Sequence, residues 1–206
     1  IRGAYLSWAG NFSDIFLEYA DKISTRKISN FGGIPNDTLK RGHGYYQNVN
    51  IYFGNWGLST EYKRYSFDRL YGDITANEYG NQIEYQQMPT LAKEHNSTLL
   101  GRVSHTYSFN DERGIQFELN GSIMDLAISM QYAHLSRNEK WRSNSENDWT
   151  HSVIDNYLPS SDFSALPYWE NYNEISGYTL NERLYFKIGH GINRAVSYTH
   201  LRAHET

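Results

Sequence analysis

The chain has no cysteine, only 4 prolines, and no apolar run as long as a membrane helix. Without thiols there are no disulfides and no thiolate metal sites. A bilayer-spanning helix needs about 20 consecutive apolar residues, and the sequence contains no such stretch. Charge of one sign is scarce too. Against 23 Asp and Glu stand 19 Lys and Arg, and a net charge of -4 implies no strong attraction to nucleic acid. Catalytic motifs are equally thin, with no G-x-S-x-G turn and no phosphate-cradling glycine loop.

Aromatic residues are what the chain has in excess. They make up 16% of it, with 18 Tyr, 9 Phe and 5 Trp, while only 39% of residues are hydrophobic overall. Its 206 residues are enough for one domain. The composition suits many half-apolar faces better than one oily core. Four turn signals, Gly10-Asn11, Gly54-Asn55, Asn120-Gly121 and Asn181-Glu182, separate runs of alternating polarity, the pattern of tight hairpins.

Register tests each hairpin. Closing at Gly54-Asn55 sets Phe53 against Trp56, Ile51 against Leu58 and Val49 against Thr60 on one face, with Tyr52, Asn50 and Asn48 against Gly57, Ser59 and Glu61 behind them. Closing at Asn181-Glu182 pairs Thr179 with Leu184, Gly177 with Phe186 and Ile175 with Ile188. Closing at Gly10-Asn11 pairs Leu6 with Ile15 and Ala4 with Leu17. Closing at Asn120-Gly121 pairs Phe117 with Met124, Ile115 with Leu126 and Gln116 with Asp125, leaving Ile123 opposite Glu118 as an exception. Residues 124–134 alternate strictly by two and read as strand, not helix. Another strand pair is expected near residues 81–87 and 97–108, joined by MPTLAKEHN. Polar connections are expected over roughly residues 21–45, 66–79 and 135–167.

The expectation is an all-β fold: an antiparallel up-and-down meander of about ten strands, forming a partial transmembrane β-barrel, open or imperfectly closed. Aromatics separate this from a β-sandwich. Trp8, Phe12, Phe53 and Trp56 lie by the tight turns, Tyr19, Tyr62, Tyr107, Tyr132 and Trp169 lie at the far end, and aliphatic residues fill the middle, as two lipid interfaces would favour. The opposite face carries Asp14, Glu18, Asn50, Glu61, Lys63, Gln116, Glu118, Asp125, Glu174 and Lys187, suited to a hydrated lumen.

On residues 83–121 (IEYQQMPTLAKEHNSTLLGRVSHTYSFNDERGIQFELNG) and 168–191 (YWENYNEISGYTLNERLYFKIGHG), the chain resembles gram-negative outer-membrane β-barrel proteins of a porin-like kind. The resemblance implies an outer-membrane location and a barrel architecture; passive solute passage or surface binding, with lipid and small solutes or glycans as partners, is the function expected of such a chain. It brings no catalytic, cofactor or metal-binding residues. The last eleven positions, VSYTHLRAHET, resemble a translated sequencing adapter. Residues 1–194 are therefore expected to be a barrel fragment and residues 195–206 a non-native tail, with the signal peptide lost by truncation.

Candidate chemistry is weak beside its plainer explanations. His43, His95, His105, His134, His151 and His190 show no H-x-x-x-H spacing and read as interface or loop residues. Glu170 with Glu174, or Glu18 with Glu61, is the kind of acidic pair that a glycosidase needs, but a solvated wall offers the same pairs. Lys93-Glu94-His95 reads as a charged turn and Gly32-Gly33 with Pro35 as a loop bend. No enzyme activity, cofactor or metal is expected. The loop aromatics Trp141, Trp149, Tyr157 and Phe163 support one alternative, a secreted soluble β-sandwich that binds carbohydrate.

Overall fold

In the computed structural model, residues 2–28, 36–67, 111–145, 148–153 and 156–196 are described. Ten strands follow in order: β1 (Arg2–Ala9), β2 (Ser13–Ile28), β3 (Asn36–Phe53), β4 (Trp56–Phe67), β5 (Asp111–Ile123), β6 (Leu126–Ser136), β7 (Glu139–Ser145), β8 (Asp148–Val153), β9 (Tyr168–Thr179) and β10 (Leu184–Ala195). Eight form one antiparallel sheet in the order β1-β2-β3-β4-β5-β6-β9-β10, and β7 pairs with β8 alone. The large sheet is open, with β1 and β10 at its edges. The expected strands near 81–87 and 97–108 lie outside the described residues.

Alternation predicted the closures to different degrees. The β3-β4 hairpin has the expected register, from Phe53 opposite Trp56 to Asn48 opposite Glu61, and Gly54 takes φ 57 in the turn, where only glycine is unstrained. The β9-β10 register also agrees, closing over residues 180–183. The first hairpin differs by two residues. Leu6 faces Leu17 and Trp8 faces Ile15, because residues 10–12 form the connection. A two-residue shift keeps every side chain on its expected face.

The third hairpin corrects the sequence reading. It closes at Met124-Asp125, so Ile123 faces Leu126, Leu119 faces Met130 and Phe117 faces Tyr132. Glu118 now meets Gln131, which removes the Ile123 mismatch and lengthens the ladder. Gly121 lies within β5 for another reason: a Cβ there would lie 2.2 Å from Trp56 Cε3, so the glycine seats the indole ring.

The connections are also shorter than expected. β2 and β3 pair from Ser13 opposite Ile51 as far as Ile28 opposite Asn36, leaving residues 29–35 between them. Strand thus continues where polarity suggested loop. Residues 137–167 contain the β7-β8 hairpin and a 3-10 turn at Phe163–Ala165. Trp141 and Trp149 are thus strand positions. Four tight turns lie at one end of the sheet and the longer connections at the other. β10 runs through Ala195, and the Val196 N–H donates to the Pro167 carbonyl at 3.1 Å, so strand structure continues past residue 194.

Candidate functional site

Opposed residues of an antiparallel pair share a face, so the ladders sort the large sheet into two surfaces. One carries rows such as Ile51-Leu58-Leu119-Met130 and Val49-Thr60-Phe117-Tyr132. Leu6, Ile51, Phe53, Phe117, Met130, Ile188 and Ile192 on this apolar face are exposed. On the other face Lys63, Glu112, Gln116, Gln131 and Glu170 are buried. Water selects the reverse, since ionised groups are rarely buried and large exposed apolar surfaces mark contacts.

Hydrogen bonds and ion pairs link many side chains of the polar face. Lys63 Nζ lies 2.6 Å from Glu112 Oε1, with only 1% and 3% of the two side chains exposed. They meet diagonally, since Lys63 opposes Gly114 and Glu112 opposes Tyr65, and the ammonium lies 5.6 Å from the Tyr65 ring centre. Toward the tight turns, Asn50 Nδ2 donates to Asn48 Oδ1 at 2.9 Å, and Asn48 Nδ2 approaches Glu61 Oε1 at 3.4 Å. The Tyr52 hydroxyl donates to Asp14 at 2.7 Å, and Asn120 Nδ2 donates to Glu118 at 2.7 Å. On β9, the Tyr168 hydroxyl donates to Glu170, and the Tyr172 hydroxyl and Lys187 Nζ reach opposite oxygens of Glu174, each at 2.8 Å.

Nine of the ten expected lumen residues occupy this face. Asp125 instead sits in the β5-β6 turn, because the hairpin closes later than Asn120-Gly121 suggested. Lys63 and Gln116 depart from the expected hydrated wall in another way: both are buried. Glu112, Tyr65 and Tyr168 take part in these contacts and were not singled out from the sequence, nor was the buried Gln131. Extending the period-two pattern of β5 back from Glu118 through Gln116 and Gly114 would have found Glu112.

The interface aromatics divide. Tyr19, Phe53 and Tyr132 are exposed on the apolar face, as are Trp8 and the connecting Phe12 at the tight-turn end, while Trp56 and Trp169 are half-buried. Tyr62 is buried and so corrects the expectation: Tyr157 stacks on it at 4.2 Å and 9°, and its hydroxyl donates to the Tyr157 carbonyl at 2.9 Å. Tyr107 lies outside the described residues, as do His95, His105, Lys93-Glu94-His95 and the Gly32-Gly33-Pro35 bend.

The segment after β8 therefore covers part of the apolar face beside the longer connections. It is anchored through Arg113, whose Nε donates to Asn138 Oδ1 at 2.8 Å and whose Nη1 donates to the Asn156 carbonyl. Asn138 Nδ2 in turn donates to the Tyr65 carbonyl at 2.7 Å, and Ser160 N–H to Ser136 Oγ at 2.9 Å. Asp162 caps the 3-10 turn; hydrogen bonding from Lys140, then from Ser164, holds its carboxyl down at about 2.

Glu170 and Glu174 lie on one face of β9, each engaged by a tyrosine, and no nucleophile stands beside a base in these contacts. Among the described residues no three or more His, Asp or Glu are gathered as a metal site. Comparison with family models, curated proteins and solved structures gives no match to this chain.

Proposed function

We propose that the chain builds wall of an outer-membrane β-barrel, apolar face to lipid and polar face to the interior, serving passive solute passage or surface binding without covalent chemistry. The observation that carries this reading is the reversed polarity of the sheet: exposed Ile51, Phe117 and Ile188 on one side, buried Lys63, Glu112 and Glu170 on the other. Strand length supports it. Crossing a bilayer takes about 9–11 tilted residues, and every strand of the large sheet except β1 has 11 or more. Tight turns at one end and longer connections at the other match the outer-membrane plan.

A sandwich would bury the apolar face against a second sheet. The second sheet here is the β7-β8 hairpin, and Ile51, Phe117 and Ile188 remain exposed. Partition of the expressed chain into the membrane fraction, with heat-modifiable electrophoretic migration, is the expected result. A soluble monomer that binds glycans would refute the reading and favour the carbohydrate-binding alternative.

A further inference from the structure

Arg64 on β4 and Arg113 on β5 are directly opposed on the apolar face, in the row Tyr19-Tyr45-Arg64-Arg113. Like charges so placed repel unless something neutralises them. Arg113 is provided for: beyond its bonds to Asn138 Oδ1 and the Asn156 carbonyl, Nη2 approaches the Asn138 carbonyl at 3.4 Å. Arg64 is less well served: its side chain is half-buried and its Nε is buried with no acceptor among the described residues, although Tyr62, Tyr157 and Arg113 all lie within its electrostatic reach.

The nearby acids are already engaged. Both Asp111 oxygens accept backbone N–H groups, from Asn138 at 3.0 Å and Glu139 at 3.2 Å, and Asp21 holds Arg2 at 2.7 Å. A buried donor on a charged group with no acceptor is unfavourable, and a guanidinium fork is shaped for phosphate or carboxylate oxygens. Arg64 also lies where the exposed apolar rows give way to tyrosine and charge. In a barrel wall that boundary is the level of the lipid headgroups.

We propose that Arg64 is a lipid-headgroup site, its guanidinium binding the phosphate of an anionic lipid lodged beside Tyr45. The inference rests on the membrane reading above and extends it to a named ligand class.

The test is lipid retention by the full chain in detergent micelles doped with phosphatidylglycerol or phosphatidylcholine, counted by native mass spectrometry. The wild-type chain should retain phosphatidylglycerol in preference by on the order of tenfold, the scale of one charge-assisted contact. R64Q should abolish the preference and R64K keep part of it, since the charge survives and the fork does not. R64Q removes a half-buried charge whose Nε has no acceptor, so it should fold at least as well as the wild type. R194Q should leave the preference intact, because that exposed arginine on the same boundary lies 5.6 Å from the Phe163 ring.

An unchanged preference in R64Q, or an equal loss in R194Q, would overturn the site. Displacement of the lipid by millimolar inorganic phosphate would show a free-anion site and overturn the headgroup assignment. A chain that enters neither micelles nor vesicles of any composition would refute the membrane reading itself, whereas normal insertion without lipid preference would refute this inference alone.

Discussion

The buried ion pair of Lys63 and Glu112 gives the sharpest test of how the polar face is held. Glu112→Gln keeps size and hydrogen-bonding capacity but leaves the ammonium without its counter-charge at a site where 1% of the lysine side chain is exposed. Removing one member of such a pair costs about 3–5 kcal/mol, because the remaining charge stays desolvated. For a chain of this length each kcal/mol lowers the melting temperature by about 2–4 °C, so the midpoint should fall by roughly 6–20 °C. Tryptophan fluorescence followed through thermal unfolding would measure it. The double replacement Lys63→Met with Glu112→Leu removes both charges and should lie within about 1 kcal/mol of the wild type or above it. Its recovery relative to Glu112→Gln is the decisive comparison. A single variant that melts with the wild type, or a double variant as unstable as the two single changes summed, would refute the claim that desolvated charge dominates here.

Three further outcomes follow from the geometry. Ile51→Arg places a charge on the apolar face at a residue 40% exposed, and should destabilise the folded chain in bilayers by about 2–4 kcal/mol; a neutral result in denaturant titration would count against the assignment of faces. Gly121→Val should displace the Trp56 ring and cost about 1–3 kcal/mol, but far less in a Trp56→Ala background, a non-additivity that a double-mutant cycle reads directly. Asp162 has a carboxyl lowered from 3.8 to about 2, so its contribution is present above the unfolded value and lost as pH falls from about 4 through 2. Being exposed, the pair with Lys140 contributes less than about 1 kcal/mol, so the loss should appear as faster amide exchange at Ser164 and be absent in Asp162→Asn.

Alternation of period two was enough to place side chains on faces but not always to place turns. Phe53-Trp56 and Ile51-Leu58 pair as read because Gly54 supplies the positive φ that a tight turn needs at that point. Asn120-Gly121 carries an equally strong turn signal and is strand, because its glycine answers a packing need set by Trp56 from the neighbouring strand. A local signal cannot distinguish those two uses of glycine. The polar network was half legible for a similar reason. Glu61, Glu118 and Glu174 show in single strands, but Lys63 finds Glu112 only once β4 and β5 are adjacent, across the 43 residues 68–110. Tyr62 looked like an interface aromatic on its own strand and is buried by Tyr157, 95 positions away.

Burial along the polar face rises from one end to the other, and that gradient bears on the two activities proposed. Toward the tight turns Asn120 and Lys187 are exposed and Asp14 and Asn50 half-buried. Toward the longer connections Lys63, Tyr65, Glu112, Leu135 and Tyr168 form a packed tier with almost no exposure. A solute arriving among the polar groups from the tight-turn end meets acceptors on Asp14 and Glu118 before it meets this tier. Binding there requires no rearrangement of the strands. Passage along the same face would require the Lys63-Glu112 pair to open and Tyr65 and Tyr168 to move aside, at the cost of separating two desolvated charges. If the sheet is the barrel wall proposed above, binding from the tight-turn end is expected over free passage, and Glu112→Gln, by loosening the packed tier, should raise solute flux in reconstituted vesicles if passage runs along this face.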